Sequence, residues 1–221
     1  METMVREHFK ERLFEYERER ETRPLPNNMH GNLLEIGAGV RLTFSSQDSE
    51  IYVLDITAEM MKEISKHHQV HAICADAKQV PFKEDSFDII VSNALLHHLV
   101  GRTPTECKTN IERVIKETKR MLTPKGSLFI KELLARNYVF SLIMFYVTFL
   151  CAKFGIEIDA LDIHSKVITF FLTEKDLNKI LTKNGFKIEL KRTEPWHIRT
   201  KILKIGTLQE FWATIVDYCP D

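Results

Sequence analysis

The chain has 221 residues, enough for one substantial core, and its 31 basic and 31 acidic side chains leave no net formal charge. That balance provides no field for nucleic acid or an anionic membrane, which excludes a basic-patch binder. The four cysteines, Cys74, Cys107, Cys151 and Cys219, stand far apart without a CxxC spacing. This suits reduced, mostly buried thiols in a cytoplasmic protein better than a disulfide framework or a metal site, and no metal is expected.

The chain opens on METMVREHFKERLFEYERERE, which is densely charged and lacks the apolar centre of a signal peptide. Val5, Phe9 and Leu13 recur at a spacing of four and predict an amphipathic helix that ends before Pro24 and Pro26. A turn-rich PLPNNMHG follows. Five short aliphatic or β-branched runs come next: NLLEI (32–36), IYVLDI (51–56), VHAICA (70–75), FDIIVS (87–92) and GSLFIKEL (126–133). Each reads as a strand buried on both faces. AEMMKEISK, with Met60, Met61 and Ile64 behind Thr57 as N-cap, and TNIERVIKETKRML, with Ile111, Val114, Ile115 and Leu122 before the stop TPKG, read as helices. Alternation of this kind predicts a mostly parallel sheet with crossover helices.

The apolar run YVFSLIMFYVTFLCA (138–152) is about 15 residues long and falls short of the ~20 that span a bilayer. It is open to four readings: a lid or wall for a greasy acceptor, a core helix, a dimer interface, or contact with a membrane surface. Thr173 and Asp176 form a capping box, Leu172 and Leu177 a staple, and Gly185 a stop, so a helix is expected between them. FKIELKRTE (186–194) and EFWATIVDY (210–218) then read as an antiparallel strand pair.

Gly37 and Gly39 in LLEIGAGV form a glycine-rich turn between a first strand and an expected helix, where a ligand can approach the backbone. Alone, GxG reads equally as a plain tight turn. Three carboxyl ends of later strands add to it. Asp55 lies about 18 residues beyond Gly37, where an acid can accept from ribose hydroxyls; Asp76 follows the third strand; Ser92, Asn93, His97 and His98 follow the fourth.

The series LLEIGAGV, YVLDITAEMM, CADAKQVPFKEDSFDIIVSNALLHHL and MLTPKGSLFI resembles, in order and spacing, the class I S-adenosylmethionine-dependent methyltransferases. It is most similar to their small-molecule branch, which includes ubiquinone and menaquinone methylases, closely over residues 31–133 and loosely over the strand pair. The resemblance implies an α/β fold, a Rossmann-like three-layer sandwich around a mostly parallel seven-stranded sheet with an antiparallel C-terminal pair. It implies one methyltransferase domain over 1–221: a lead-in (1–30), a cofactor-binding core (31–133), an apolar lid or acceptor insertion (134–170), and a C-terminal helix and strand pair (171–221).

It further implies S-adenosylmethionine as cofactor. Gly37, Ala38 and Gly39 would lie under its methionine part, with Glu35 near the amino group. Asp55, with Ile56 beside it, would hold the ribose, Asp76 with Ala77 the adenine amino group, and Asn93 would lie near the sulfonium. A small, lipophilic acceptor is the implied partner; the oligomeric state is left open.

If the acceptor must lose a proton, His97 or His98 is the placed base. In a helix beginning near Asn93 the two point about 100° apart, so at most one faces the site; the structural alternative is that both pack or cap that helix. His164, Trp196 and His197 are further candidates for the acceptor side. Leu42 stands where a dinucleotide GxGxxG needs its third glycine, which argues against a nicotinamide dehydrogenase. Arg41 occupies the place where many methyltransferase relatives carry a glycine, and either points to solvent from the helix start or reaches a nearby carboxylate. The competing class of function is a non-catalytic binding protein that uses this fold to hold a partner or lipid.

Overall fold

The computed structural model describes residues 23–24, 30–45, 49–67, 69–158, 163–196 and 208–217. The expected N-terminal helix, His197 and Cys219 lie outside these residues, as does the side chain of Trp196.

The sheet contains β1 (Leu33–Ile36), β2 (Ile51–Asp55), β3 (His71–Cys74), β4 (Phe87–Asn93), β5 (Leu122–Ala135), β6 (Phe186–Trp196) and β7 (Leu208–Asp217) in the spatial order β3-β2-β1-β4-β5-β7-β6. β1 to β5 are mutually parallel, whereas β7 runs antiparallel to β5 and β6 antiparallel to β7. This is the α/β arrangement that the alternating pattern implies. The strand order reverses between β1 and β4, the place where open α/β sheets take their ligands at the carboxyl ends of the parallel strands.

Each strand sends side chains alternately to two layers. Leu34 and Ile36 join Ile90 and Leu128 on the face covered by α2 (Pro104–Met121), α3 (Tyr138–Phe154) and α4 (Glu174–Lys183). Leu33, Val53, Ile89 and Val91 join Met60, Met61 and Ile64 of α1 (Ala58–His67) on the other. Each such side chain, when fully buried, stabilises the fold by about 1.5–3 kcal/mol.

The helix boundaries follow from local chemistry. The Thr103 side chain accepts from Glu106 N–H at the start of α2, with Pro104 in the first turn. The Thr173 hydroxyl accepts from Asp176 N–H at 3.1 Å, and Gly185 turns the chain with φ +78°. Leu172 and Leu177 are both buried beside that cap. The backbone carbonyl of Thr57 accepts from Met61 N–H, while its own N–H goes to Asp55.

Three expectations need correction. Among the described residues no helix follows the glycine turn: residues 37–43 are turns and bends, and Phe44–Ser45 pair in parallel with Arg23–Pro24. The apolar residues Val40, Leu42 and Phe44 alternate, which is the period of extended chain, and Thr43, Ser45 and Ser46 are poor helix formers. β3 is an edge strand whose His71 and Cys74 are exposed, so neither its faces nor its thiol are buried. Finally, α2 ends at Met121 and β5 begins at Leu122, so the expected TPKG stop lies inside a 14-residue strand.

α3 covers the sheet with Ser141, Phe145, Thr148 and Cys151. Phe145 is 0% exposed and meets Phe170 edge-on at 6.0 Å. Phe145→Ala should therefore cost about 3–5 kcal/mol, read as a lowered urea midpoint with an unchanged slope.

Candidate functional site at the carboxyl ends of the parallel strands

Register places the ends of the first four strands together. Ile36 pairs with Leu54 on one side and Ser92 on the other, Asp55 pairs with Cys74, and Asn93 pairs with Lys131.

The glycine turn is clamped to β2. Gly37 and Ala38 N–H donate to Leu54 carbonyl oxygen at 2.7 and 3.3 Å, and Gly39 N–H donates to Asp55 Oδ2 at 3.2 Å. Gly37 and Gly39 take φ of +70° and +60°, the left-handed region that favours glycine. A Cβ on Gly37 would also lie 2.7 Å from Leu95 Cδ1, so the turn depends on glycine for space as well as for conformation.

Glu35 sits differently from the implied place near a ligand amino group. It is 0% exposed, and its carboxylate accepts from Thr43 N–H at 2.8 Å and from the Thr43 hydroxyl at 2.6 Å. Asn93 Nδ2 in turn donates to the Thr43 hydroxyl at 2.8 Å. Glu35 thus holds the loop from inside, and Asn93 is the far end of the same chain of hydrogen bonds. Arg41, half-buried at a bend, marks no helix start.

Asp55 receives Thr57 N–H at 2.9 Å as well as Gly39 N–H. Burial pushes its carboxyl above the usual value, opposed by those hydrogen bonds, which favour the anion. Ile56 follows it and accepts at its carbonyl from Cys74 Sγ. Asp76 lies one residue beyond Ala75, whose N–H donates to Asp55 carbonyl oxygen at 3.0 Å. The Asp76 side chain is 35% exposed, accepts from Lys78 N–H at 2.9 Å and pairs with Lys78 Nζ at 3.3 Å. Ala77 beside it is buried.

After β4 the chain turns through Ala94, at φ +54°, into a short 3₁₀ turn over Leu96–His98. This replaces the expected helix near Asn93, and the two histidines do not diverge: their ring centroids lie 4.0 Å apart. His97 is buried, with Nδ1 2.5 Å from Glu132 Oε1. Glu132 is 2% exposed and also accepts from Leu96 N–H at 2.6 Å and Leu133 N–H at 2.8 Å. The His97 ring stacks on Phe171 at 5.4 Å, and its carbonyl accepts from Phe170 N–H. His98 is half-buried, as is His164 in the segment leading to Phe171.

Sequence reasoning missed Thr43, Glu132 and Phe171. A carboxylate inside the apolar run GSLFIKEL was the available signal for Glu132, since buried charge needs partners. Thr43 and Phe171 carried none.

Residues 34–130 match the family model described as a methyltransferase domain. These residues form a methyltransferase domain. No curated protein matches the chain. Among solved structures, an S-adenosylmethionine-dependent methyltransferase from Methanosarcina mazei is 22% identical, with a TM-score of 0.64 over 86% of this chain and 93% of that one. The YcgJ protein from Bacillus subtilis is 15% identical, with a TM-score of 0.63 over 96% of this chain and 100% of that one. The [4+2]-cyclase SpnF is 14% identical, with a TM-score of 0.57 over 87% of this chain and 77% of that one. At these identities the likeness concerns the fold.

S-adenosylmethionine is the cofactor of this methyltransferase domain. The residues present fit it chemically. Two left-handed glycines leave the backbone open, and two of the roughly four acceptor positions of the Asp55 carboxylate are taken by N–H groups, leaving others for hydroxyls. At the same edge the buried Ser92 hydroxyl has no hydrogen-bond partner among the described residues.

The Gly37 geometry yields a direct test. Gly37→Ala should destabilise the fold by about 1–2 kcal/mol from the left-handed backbone alone, with a further loss from the Leu95 contact. In urea titrations the double variant Gly37→Ala/Leu95→Ala should recover the steric part and retain the backbone part.

Proposed function

We propose that this protein transfers a methyl group from S-adenosylmethionine to a small, lipophilic acceptor whose attacking atom must lose a proton, with His97 as the base. The observation that carries this reading is the buried Glu132–His97 pair stacked against Phe171 beside the end of β4. S-adenosylmethionine supplies a methyl group already activated for in-line displacement, so the chain has to align the acceptor, exclude water and handle one proton. A carboxylate that accepts from Nδ1–H fixes the imidazole tautomer and leaves Nε2 as the proton acceptor. Glu132 can do this rigidly, because N–H groups from the 3₁₀ turn and from β5 hold it as well.

On the cofactor side, backbone at Gly37, Ala38 and Gly39 would hold the methionine part, Asp55 and Ile56 the ribose, Asp76 and Ala77 the adenine amino group, and Asn93 would lie toward the sulfonium. Glu35 acts one step removed, by holding Thr43. The apolar surroundings of Phe171, built from Ala135, Leu133, Phe140 and Met144, support a greasy acceptor. Among the described residues no helix is long and apolar enough to cross a membrane.

Calorimetric titration with S-adenosylhomocysteine, followed by transfer of labelled methyl to a panel of detergent-dispersed hydroxyl and carbon acids, tests the reading. Binding without transfer to any acceptor would favour the binding-protein alternative. His97→Gln and Glu132→Gln should each lower kcat on the order of 10²-fold while cofactor affinity holds.

Asp55 adds a pH signature. Its folded carboxyl binds a proton more tightly than the unfolded one, so its contribution to stability is complete below the unfolded value and is lost as pH rises through the raised folded value. Asp55→Asn should flatten stability against pH across that window. Cofactor affinity of the parent should fall on acidification at a pH above the ~3.9 of an ordinary aspartate, and the variant should lose that dependence.

A further inference from the structure

Among the described residues, every exposed large apolar side chain lies in one segment, from Tyr138 to Ile156. On α3 they form a strip: Val139 is 66% exposed, Ile143 54%, Tyr146 53%, Leu150 49% and Phe154 65%. The first four follow a 4-3-4 spacing, which keeps them on one side of the helix and is the spacing of a coiled-coil seam. The opposite side carries Ser141, Phe145, Thr148 and Cys151 and is already buried against this chain. With Tyr138 and Ile156 the exposed apolar surface comes to roughly 700 Å², above the ~300–600 Å² of the largest patch on an ordinary monomer.

We infer that α3 is the seam of a homodimer and that the strip is covered by the same strip of a second copy of this chain. Area is the first argument, since roughly 700 Å² from the strip together with Tyr138 and Ile156 approaches the ~800 Å² per partner of a stable interface. Self-complementarity is the second. Across a two-fold axis the central Tyr146 meets its own copy, and the flanking aliphatic residues meet one another without placing a charge in the middle of the seam. Lys153 is the one charged residue of the helix and lies at its last turn, where it falls on the rim.

A lipid surface asks for a different helix, with a strongly charged face rich in lysine and arginine behind the apolar one. The second face of α3 is core, and equal numbers of acidic and basic residues give the chain no cationic excess. The inference does not depend on the methyl-transfer reading, because no residue of the strip belongs to the proposed site.

Sedimentation equilibrium of the full chain at micromolar concentrations should give twice the 25.8 kDa of one copy. Ile143→Asp and Leu150→Asp should each raise the dimer dissociation constant on the order of 30-fold or more. Both positions are half-exposed, so urea midpoints extrapolated to low protein concentration should match the parent. A monomeric parent, or a dimer that both variants leave intact, would overturn the inference. Flotation of a monomeric parent with neutral phosphatidylcholine vesicles, abolished by the two variants, would overturn it in favour of a lipid surface.

Discussion

A buried carboxylate at the end of the central strand is the constraint on which the site depends. Glu35 closes β1 with no exposure to water, and an unpaired charge there would cost far more than the fold can spare. Thr43 satisfies it twice, through N–H and hydroxyl, and can do so only if the loop folds back over the strand end. Asn93 then ties the same hydroxyl to β4. The strand ends where the order reverses are thus tied together by three side chains from three segments.

A second buried carboxylate repeats the device on the other side of β4. Glu132, near the end of β5, gathers His97 and two N–H groups, and so fixes the 3₁₀ turn that begins at the left-handed Ala94. The two acids differ in what they hold. Glu35 holds a backbone N–H and a hydroxyl of the loop, whereas Glu132 holds an imidazole. That difference makes one a scaffold and the other the reason His97 is the stronger candidate for chemistry.

The strand-end placement was legible in the sequence because it follows from short-range rules. Runs such as FDIIVS and IYVLD are unambiguous in length and β-branching, and in a parallel sheet their last residues must line one edge, which puts Gly37, Asp55, Asp76 and Asn93 together. What failed were features decided by tertiary partners. The loop after Gly39 was read as a helix start by analogy, although Val40, Leu42 and Phe44 alternate. The divergence of His97 and His98 assumed helical geometry that Ala94 and Glu132 replace. The apolar residues of VHAICA suggest full burial, but β3 is an edge strand of the sheet, so Ala72 and Ile73 are only partly covered and His71 and Cys74 are exposed. Likewise the apolar run 138–152 could be recognised as unusual, but only the packing of Phe145 shows which of its sides the chain keeps for itself.

The loop that stands in place of the first crossover helix has a consequence for the order of assembly. A helix brings its own hydrogen-bond acceptors and can begin to form within its own segment. This loop takes its acceptors from elsewhere: the Leu54 carbonyl and Asp55 on β2, and Glu35 on β1. Its N–H groups have no such partners until β1 and β2 are paired, and the Asn93 tie waits for β4. Closure of the cofactor edge is therefore a late event in folding, conditional on the sheet, and the chain acquires its glycine turn only after it has acquired its core.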